Sequence, residues 1–409
     1  MSLWRDRDFL KLWAGQTISE VGSRITREGV PLTAVMLLHA SPFTMGTLAA
    51  LGGLATLLIA PLAGIAVDRY RLRPILIASD LGRAVVISLI PIAAYHGALH
   101  LWTLYLVVGL AGILSVFFDV SYQSFTPSLV NRDRILEANS KLALSASTAE
   151  AIGPALSGSL IQVLTAPIAM AIDALSFLVS AASIAFIRKP EIDKPPAEHF
   201  PSLNELTAGF RFVFTHPILK PIALRDGTTS FFWGFYGALY VLYCIDELKF
   251  TPFLLGIIVT LGGISSFVGS STIPWISRRF QPGTILIGAT LIQGFSNLLI
   301  PLAQPGITAI LCMGGAQLLG DISFPIYNVQ ALTLRQSMTP SAVLGRVNGT
   351  MHLLFRGLIP IGALAGGALA QYTGVRRTIL ASAVGILLAS LWLVFSPVRG
   401  LKRDSLQNC

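Results

Sequence analysis

Long apolar runs, broken by short polar turns, follow one another along almost the whole chain. A bilayer core takes about 20 apolar residues in helical form, so each run is long enough to cross it. The pattern predicts twelve spanning helices, at about 10–38, 45–67, 74–96, 101–122, 137–163 and 167–187, then 219–245, 252–275, 283–303, 306–329, 346–371 and 375–396. Between the sixth and the seventh lies the one sizeable polar stretch, Arg188–Thr215. Its opening, Arg188–Pro196, reads as a proline- and charge-rich linker. Leu203, Leu206, Phe210 and Phe214 then recur at helical spacing, which predicts a surface helix over Ser202–Thr215. The expected organisation is a six-helix bundle over 1–187, a cytoplasmic linker with a short surface helix over 188–216, and a second six-helix bundle over 217–409.

Composition makes lipid the expected solvent. Of 409 residues 53% are hydrophobic and only 12% charged, and the mean hydropathy is +0.70, too apolar for a soluble globule. The net charge of +9 would suit nucleic acid if it formed one patch. It does not. Arg5, Arg7 and Lys11 precede the first span, and Arg69, Arg71 and Arg73 follow the second. Arg132 and Arg134 follow the fourth, Arg278 and Arg279 the eighth, and Arg399, Lys402 and Arg403 close the chain. The intervening loops, such as His39–Thr44 and His96–His100, have almost no Lys or Arg, so both termini are expected in the cytoplasm. Arg376 and Arg377, between the last two spans, dissent from that rule. The charged stretch Met1–Lys11 is not expected to be a cleaved signal. Cys244, Cys312 and Cys409 have neither disulfide-framework nor metal spacing.

The two halves repeat each other. Ser41-Pro42-Phe43 recurs 210 residues on as Thr251-Pro252-Phe253, and the same offset pairs Gly46 with Gly256, Leu51-Gly52-Gly53 with Leu261-Gly262-Gly263, and Arg69 with Arg279. Asp119-Val120-Ser121-Tyr122 echoes Asp321-Ile322-Ser323-Phe324 with the register slipped to 202. Two six-helix halves in one orientation are what parallel-repeat transporters show, with the substrate site near the midplane.

Several spans carry charge, which costs ~2.5–3.5 kcal/mol per residue at a helix centre. In the first, Gln16, Glu20, Ser23, Arg24, Arg27 and Glu28 form one helical stripe, with Glu20–Arg24 and Arg24–Glu28 as i,i+4 pairs and Pro31 just beyond. The stripe either lines a pathway and supplies a protonatable carboxylate, or locks the first helix to its neighbours. Glu150 lies in the fifth span, one turn before Gly153-Pro154. Asp119 and Asp321 are expected near the cytoplasmic ends of the fourth and tenth spans. They read either as proton-binding groups or as latches, Asp119 to Arg69 or Arg73 and Asp321 to Arg278 or Arg279, with Asp80 and Arg83 in the same network. Asp173 is either a helix-packing group or a functional acid. His352 and Arg356 are expected as the main buried cations of the second half, and the aromatic run Phe231–Tyr243 as lining for a large amphipathic ligand.

Two stretches carry a family resemblance. Gly64-Ile65-Ala66-Val67-Asp68-Arg69-Tyr70-Arg71-Leu72-Arg73-Pro74 resembles the loop between helices 2 and 3 of major facilitator transporters, G-x-x-x-D-R/K-x-G-R/K-R/K. Gly64, Asp68, Arg69 and Arg73 match, while Arg71 replaces the second glycine and Leu72 a basic residue; Gly64 is expected to let helices approach closely. Gly153-Pro154-Ala155-Leu156-Ser157-Gly158 resembles the fifth-helix motif of the exporters, G-x-x-x-G-P-x-x-G-G, with Gly153, Pro154 and Gly158 matching and Ala149 and Ser157 replacing glycines. Leu136–Ser140, Asp173–Phe177 and Leu344–Gly349 are similar to the enterobactin-exporter and macrolide-efflux branch of the twelve-helix drug:proton antiporters.

The resemblance implies an all-α integral membrane protein of the major facilitator fold, two six-helix bundles related by a pseudo-twofold parallel repeat. It implies proton-coupled efflux of an amphipathic drug or siderophore by alternating access, across the cytoplasmic (inner) membrane. Import, lipid flipping on the same fold, or a non-transporting receptor are the alternatives. No cofactor is expected beyond the proton gradient. The expected partners are the lipid bilayer, protons and a small-molecule substrate, with no nucleic acid and a working monomer. The fourth span lacks the arginine that many proton-coupled exporters carry, which shifts the coupling role toward Glu20, Glu28 and Glu150. No G-x-S-x-G, H-E-x-x-H or phosphate-cradling loop is present, so an enzyme or a self-contained ATP-driven pump is not expected.

Overall fold

The computed structural model describes residues 3–130, 134–189 and 203–401, and these contain helices and no strand. Arg132, the linker from Pro190 to Ser202, Lys402, Arg403 and Cys409 lie outside the described residues, as does the side chain of Asp68. In chain order the main helices are α1 (Arg7–Met36), α2 (Pro42–Arg69), α3 (Leu72–Tyr95), α4 (Leu101–Leu129), α5 (Ile135–Leu164) and α6 (Ala166–Ala185). The short α7 (Leu203–Thr215) follows, then α8 (Leu219–Leu242), α9 (Pro252–Arg279), α10 (Pro282–Asn297), α11 (Ile307–Met338), α12 (Ser341–Thr373) and α13 (Val375–Ala389). Apart from α7, these are the twelve spans the apolar pattern predicts. Among the described residues, nine helices qualify as spans on length and apolar composition alone. The exceptions are α1, α5 and α8; α1 and α5 carry the Arg24–Glu150–Arg27 group and α8 the Arg225–Asp226 pair described below.

Several helices outrun their apolar cores. α4 continues through Thr126-Pro127 to Leu129, and α11 reaches Met338. At 1.5 Å per residue Asp119 therefore lies roughly 15 Å before the end of α4, and Asp321 roughly 25 Å before the end of α11. Both were expected near a helix end and are corrected to helix interiors. A polar tail can stay helical once the backbone hydrogen bonds have somewhere to propagate, so apolarity marks the lipid zone rather than the helix end.

The chain forms two compact units. One takes Met1–Ala40, Leu51–Glu198 and Phe250–Thr260; the other takes Ser41–Ala50, His199–Lys249 and Leu261–Cys409. In the first, α1 packs on α6 through Gly15, Gly22 and Gly29, two turns apart on one face. They meet Ser183, Ser176 and Met170 so closely that a Cβ would come within 2.3–3.0 Å of them. Leu12, Leu72, Leu76, Phe118, Phe125 and Ile184 fill the core beside this seam. The opening turns of α9 lie on α5: a Cβ on Gly158 would stand 2.3 Å from the Pro252 carbonyl, and one on Gly256 2.3 Å from that of Pro154.

In the second unit α8 packs on α12 with backbone against backbone. A Cβ on Gly362 would lie 1.8 Å from the Phe231 carbonyl, and one on Gly234 2.2 Å from that of Ile359. The opening turns of α2 lie on α12, Gly46 facing Gly367 and the Ala363 carbonyl. Gly46 and Gly256 are the same position of the repeat, and each meets a glycine-bearing helix in its unit. α7 rests on α12 at Gly209 and adds Val213 to a core with Leu219, Ile222, Leu286 and Leu334.

Candidate functional site

The stripe on α1 divides. Gln16 is buried and donates from Nε2 to Ser180 Oγ at 2.9 Å, so it belongs to the α1–α6 seam and not to the exposed row. Arg24 does not pair with Glu20 or Glu28. It reaches across to α5, where its Nη2 donates to Glu150 Oε2, and Arg27 Nη1 lies 3.8 Å from Glu150 Oε1. The reason lies in α5: a Cβ on Gly153 would stand 2.5 Å from Arg24 Cγ. The missing side chain leaves a groove for the arginine stem and aims its head one turn back, at Glu150. The Glu150 side chain is 57% exposed and that of Arg27 65%, whereas Arg24 is 12% exposed. Glu28 and Glu20 are half-buried and form no salt bridge among the described residues; Glu20 lies toward Tyr122 of α4.

Behind this exposed cluster the first unit has a sealed polar core. Arg83 lies between the rings of Phe118 and Phe177, 4.2 Å from each centroid, and donates to Asp80 Oδ1. Asp80 is fully buried, so this pair holds the bundle together and is not part of a surface latch. Asp173 is equally buried and accepts from Thr26 Oγ1 and from Ser176 Oγ, tying α6 to α1. Of its two sequence readings, that geometry is the helix-packing one.

The terminal loops hold more of the sequence-derived residues. α2 ends at Arg69 and α3 begins at Leu72, so the basic loop is tighter than expected and Asp68-Arg69 closes a helix. Arg278 and Arg279 close α9 in the same way, where their charge suits the helix dipole. Arg73 Nε donates to the Ile184 carbonyl at 3.1 Å and Nη2 to that of Ala185, capping α6. Asp119 is exposed. A Cβ on Gly64 would meet no atom within 4 Å among the described residues, which corrects the close-approach reading of that glycine. Asp8 accepts from the backbone of Arg188 and Lys189 and from Lys11 Nζ. Burial opposes its charge, but these hydrogen bonds prevail and hold its carboxyl below the usual range.

The second unit overturns two expectations and supplies a cluster the sequence reading missed. His352 and Arg356 are exposed, not buried. The internal cation is Arg225 of α8, whose Nη1 meets Asp226 Oδ1 at 3.1 Å and whose Nη2 donates to Gln293 Oε1 at 2.8 Å. Its guanidinium lies over the Tyr327 ring, 3.6 Å from the centroid, and Tyr327 OH donates to Asp226 Oδ1 at 2.7 Å. The signal was an Arg-Asp pair two turns into an apolar helix. Asp321 lies far from Arg278 and Arg279. Its Oδ2 is 2.1 Å from where a Gly262 Cβ would stand, and Gly262 is about 24 Å along α9 from those arginines. The expected latch is therefore not formed. Phe232 and Phe235 pack on Gly385 and Gly366, so much of the aromatic run serves helix packing. Arg376 Nε meets Glu247 Oε2 at 3.2 Å, which explains how a cation is tolerated at the end where few were expected.

A family model described as transmembrane secretion effector matches residues 1–408. The chain belongs to this family of major facilitator transporters. The multidrug efflux pump Tap of Mycolicibacterium fortuitum is 26% identical over 374 residues, covering 89% of this chain and 90% of its own. The enterobactin exporter EntS of Escherichia coli O1:K1 / APEC is 24% identical over 377 residues, covering 92% and 87%. A bacterial homologue of the iron transporter ferroportin, solved in an inward-facing state, shares the fold with a TM-score of 0.76 at 17% identity, covering 97% of this chain and 99% of its own. The all-α, twelve-helix membrane architecture and the efflux-pump branch expected from the motifs are thus established, and the family is one of non-enzymatic carriers.

In such a carrier the Arg24–Glu150–Arg27 group has a defined capacity. It puts one carboxylate between two guanidinium groups on a surface open enough for exchange. No group of three or more His, Cys, Asp and Glu side chains among the described residues is arranged to hold a metal ion.

Proposed function

We propose that this transporter exports an amphipathic small molecule, a drug or a siderophore, in exchange for protons. It does so by alternating access in the cytoplasmic membrane, with both termini in the cytoplasm. The monomer suffices, and the proton gradient replaces any cofactor. The observation that carries this reading is the exposed Arg24–Glu150–Arg27 group on two helices that are otherwise membrane spans. An ion pair at that depth is costly unless it is used. Protonation of Glu150, with Glu20 as the second candidate acid, alternates with substrate binding: substrate leaves outward, the carboxyl group takes up a proton there, and it gives that proton to the cytoplasm before substrate binds again. Efflux relatives such as Tap support the direction.

The test is proton flux from proteoliposomes holding a pH gradient, on addition of a panel of siderophores, macrolides and lipophilic cations. A ligand-specific flux that is lost in Glu150→Gln or Glu20→Gln supports the proposal and names the substrate class. Transport that stays pH-driven in both variants sinks it.

A further inference from the structure

Asp321 is a mid-membrane acid with a built environment. It lies roughly 21 Å from the start of α11 and 25 Å from its end, at a depth where a bare charge is costly. Gly262 of α9 leaves the space its carboxylate occupies. Among the described residues Asp321 forms no salt bridge. The groups facing it can be named helix by helix. α8 offers Tyr236, whose phenol feels the carboxylate. α9 has no ionisable residue before Arg278, and α10 has none at all. On α11 itself Arg335 is about 21 Å further on.

Beside the carboxylate is a cavity of about 10 Å³, room for one water, lined by Trp233, Gln293, Asn297, Gln317 and Gly320 with Asp321. Gln293 Oε1 is taken by Arg225, so its Nε2 is the end left for the cavity. Asn297 Nδ2 donates to the Gln293 carbonyl at 2.9 Å, which leaves its Oδ1. Gln293 Nε2, Asn297 Oδ1 and the Gln317 amide suit a water molecule beside a carboxyl group. They do not make the all-oxygen cage that a sodium ion or another hard cation needs. Through Gln293 the cavity connects to Arg225, Asp226 and Tyr327.

We propose that Asp321 is a proton-binding site of the second unit, served by the cavity water and sensed by Arg225 through Gln293. A hydronium ion in the cavity transfers its proton to a carboxylate oxygen: one O–H bond breaks, one forms, and water remains. Its use in transport rests on the proton-coupled reading above, but the site can be tested without substrate.

The probe is dicyclohexylcarbodiimide, which adds only to a protonated carboxyl group and favours apolar surroundings. Purified wild-type protein is treated between about pH 5 and about pH 9, and the peptide containing Asp321 is read by mass spectrometry. The expected result is an adduct on Asp321 that falls at least about tenfold as pH rises, as for any group titrating within the window. It should be insensitive to sodium and shifted in pH midpoint by Gly262→Ala, which crowds the carboxylate. Absence of an Asp321 adduct, a pH-independent adduct, or protection by sodium at fixed pH overturns the proposal. An adduct in wild type that tracks pH, alongside proteoliposomes that show no proton flux, would sink the exporter reading and leave this site standing.

Discussion

In the first unit Arg24 and Arg27 converge on a carboxylate that is 57% exposed, whereas in the second Arg225 is 3% exposed and satisfied by Asp226 and Gln293. The exposed cations of the second unit, His352 and Arg356, have no acid against them among the described residues, and its mid-membrane acid, Asp321, has no cation. Two halves descended from one repeat have thus separated what a transporter must do. The first presents a carboxylate between one largely buried and one exposed arginine. The second locks its arginine away and leaves a single carboxyl group beside a water-sized cavity. The buried Asp80–Arg83 pair of the first unit shows that sealing an arginine is available to both halves.

The largest expected effect would break that contrast most directly. Asp80→Ala leaves Arg83 charged between two aromatic rings and should cost ~3–5 kcal/mol of stability, and Asp226→Ala a similar amount, because each strands a buried cation. Glu150→Ala removes an exposed partner and should change stability by at most ~1 kcal/mol while abolishing pH-driven transport. Thermal unfolding in detergent, run beside a flux assay, separates the two outcomes. If Glu150→Ala unfolds the protein as readily as Asp80→Ala does, the pair is structural and the contrast fails.

Next in size are the glycines that the repeat shares. Gly256→Val would drive a side chain into the Pro154 carbonyl, and Gly46→Val one into that of Ala363. Each should cost ~1–3 kcal/mol by overpacking, and because the positions belong to equivalent contacts the two costs should agree within about a factor of two. A large loss in one and none in the other would show that the units do not use these contacts alike. Gly153→Val should differ in kind. It closes the groove for the Arg24 stem, so transport should fall at least about tenfold with a stability change no larger than those two.

Much of this was legible in the sequence, and the exceptions share a cause. Twelve helices could be read because each must offer lipid an apolar surface, and the position of Glu150 before Gly153-Pro154 was visible as a motif. The partner of Arg24 was not. Local spacing offered Glu20 and Glu28 at i,i+4, and only the absent side chain at Gly153 on another helix decides for Glu150. Asp321 was misplaced for the same reason: its neighbour Gly262 lies 59 residues away in sequence. Arg225-Asp226 was readable from charge in an apolar helix, whereas nothing in the local sequence marks His352 and Arg356 as exposed.

The smallest effect tests how firmly the second unit holds its internal arginine. α8 carries Arg225, and its first turn is capped by His216, whose Nδ1 accepts from the backbone of Ile218 and Leu219 at 3.2 Å each. Only the neutral imidazole offers that lone pair, and burial pulls its pKa below the ordinary 6.5. Because the folded value is the lower one, the contribution is complete above about pH 6.5 and is lost as pH falls through that value toward the folded one. A helix cap is worth roughly 1 kcal/mol, so the unfolding temperature should drop by a degree or two between about pH 7.5 and about pH 5.5. His216→Asn keeps an acceptor at the cap but cannot titrate, and should flatten that part of the curve. Among the described residues of the first unit no histidine side chain bonds a helix N-terminus, His100 at the start of α4 included, so a slope that persists in His216→Asn must come from elsewhere, and the capping of α8 would then play no part in the pH response.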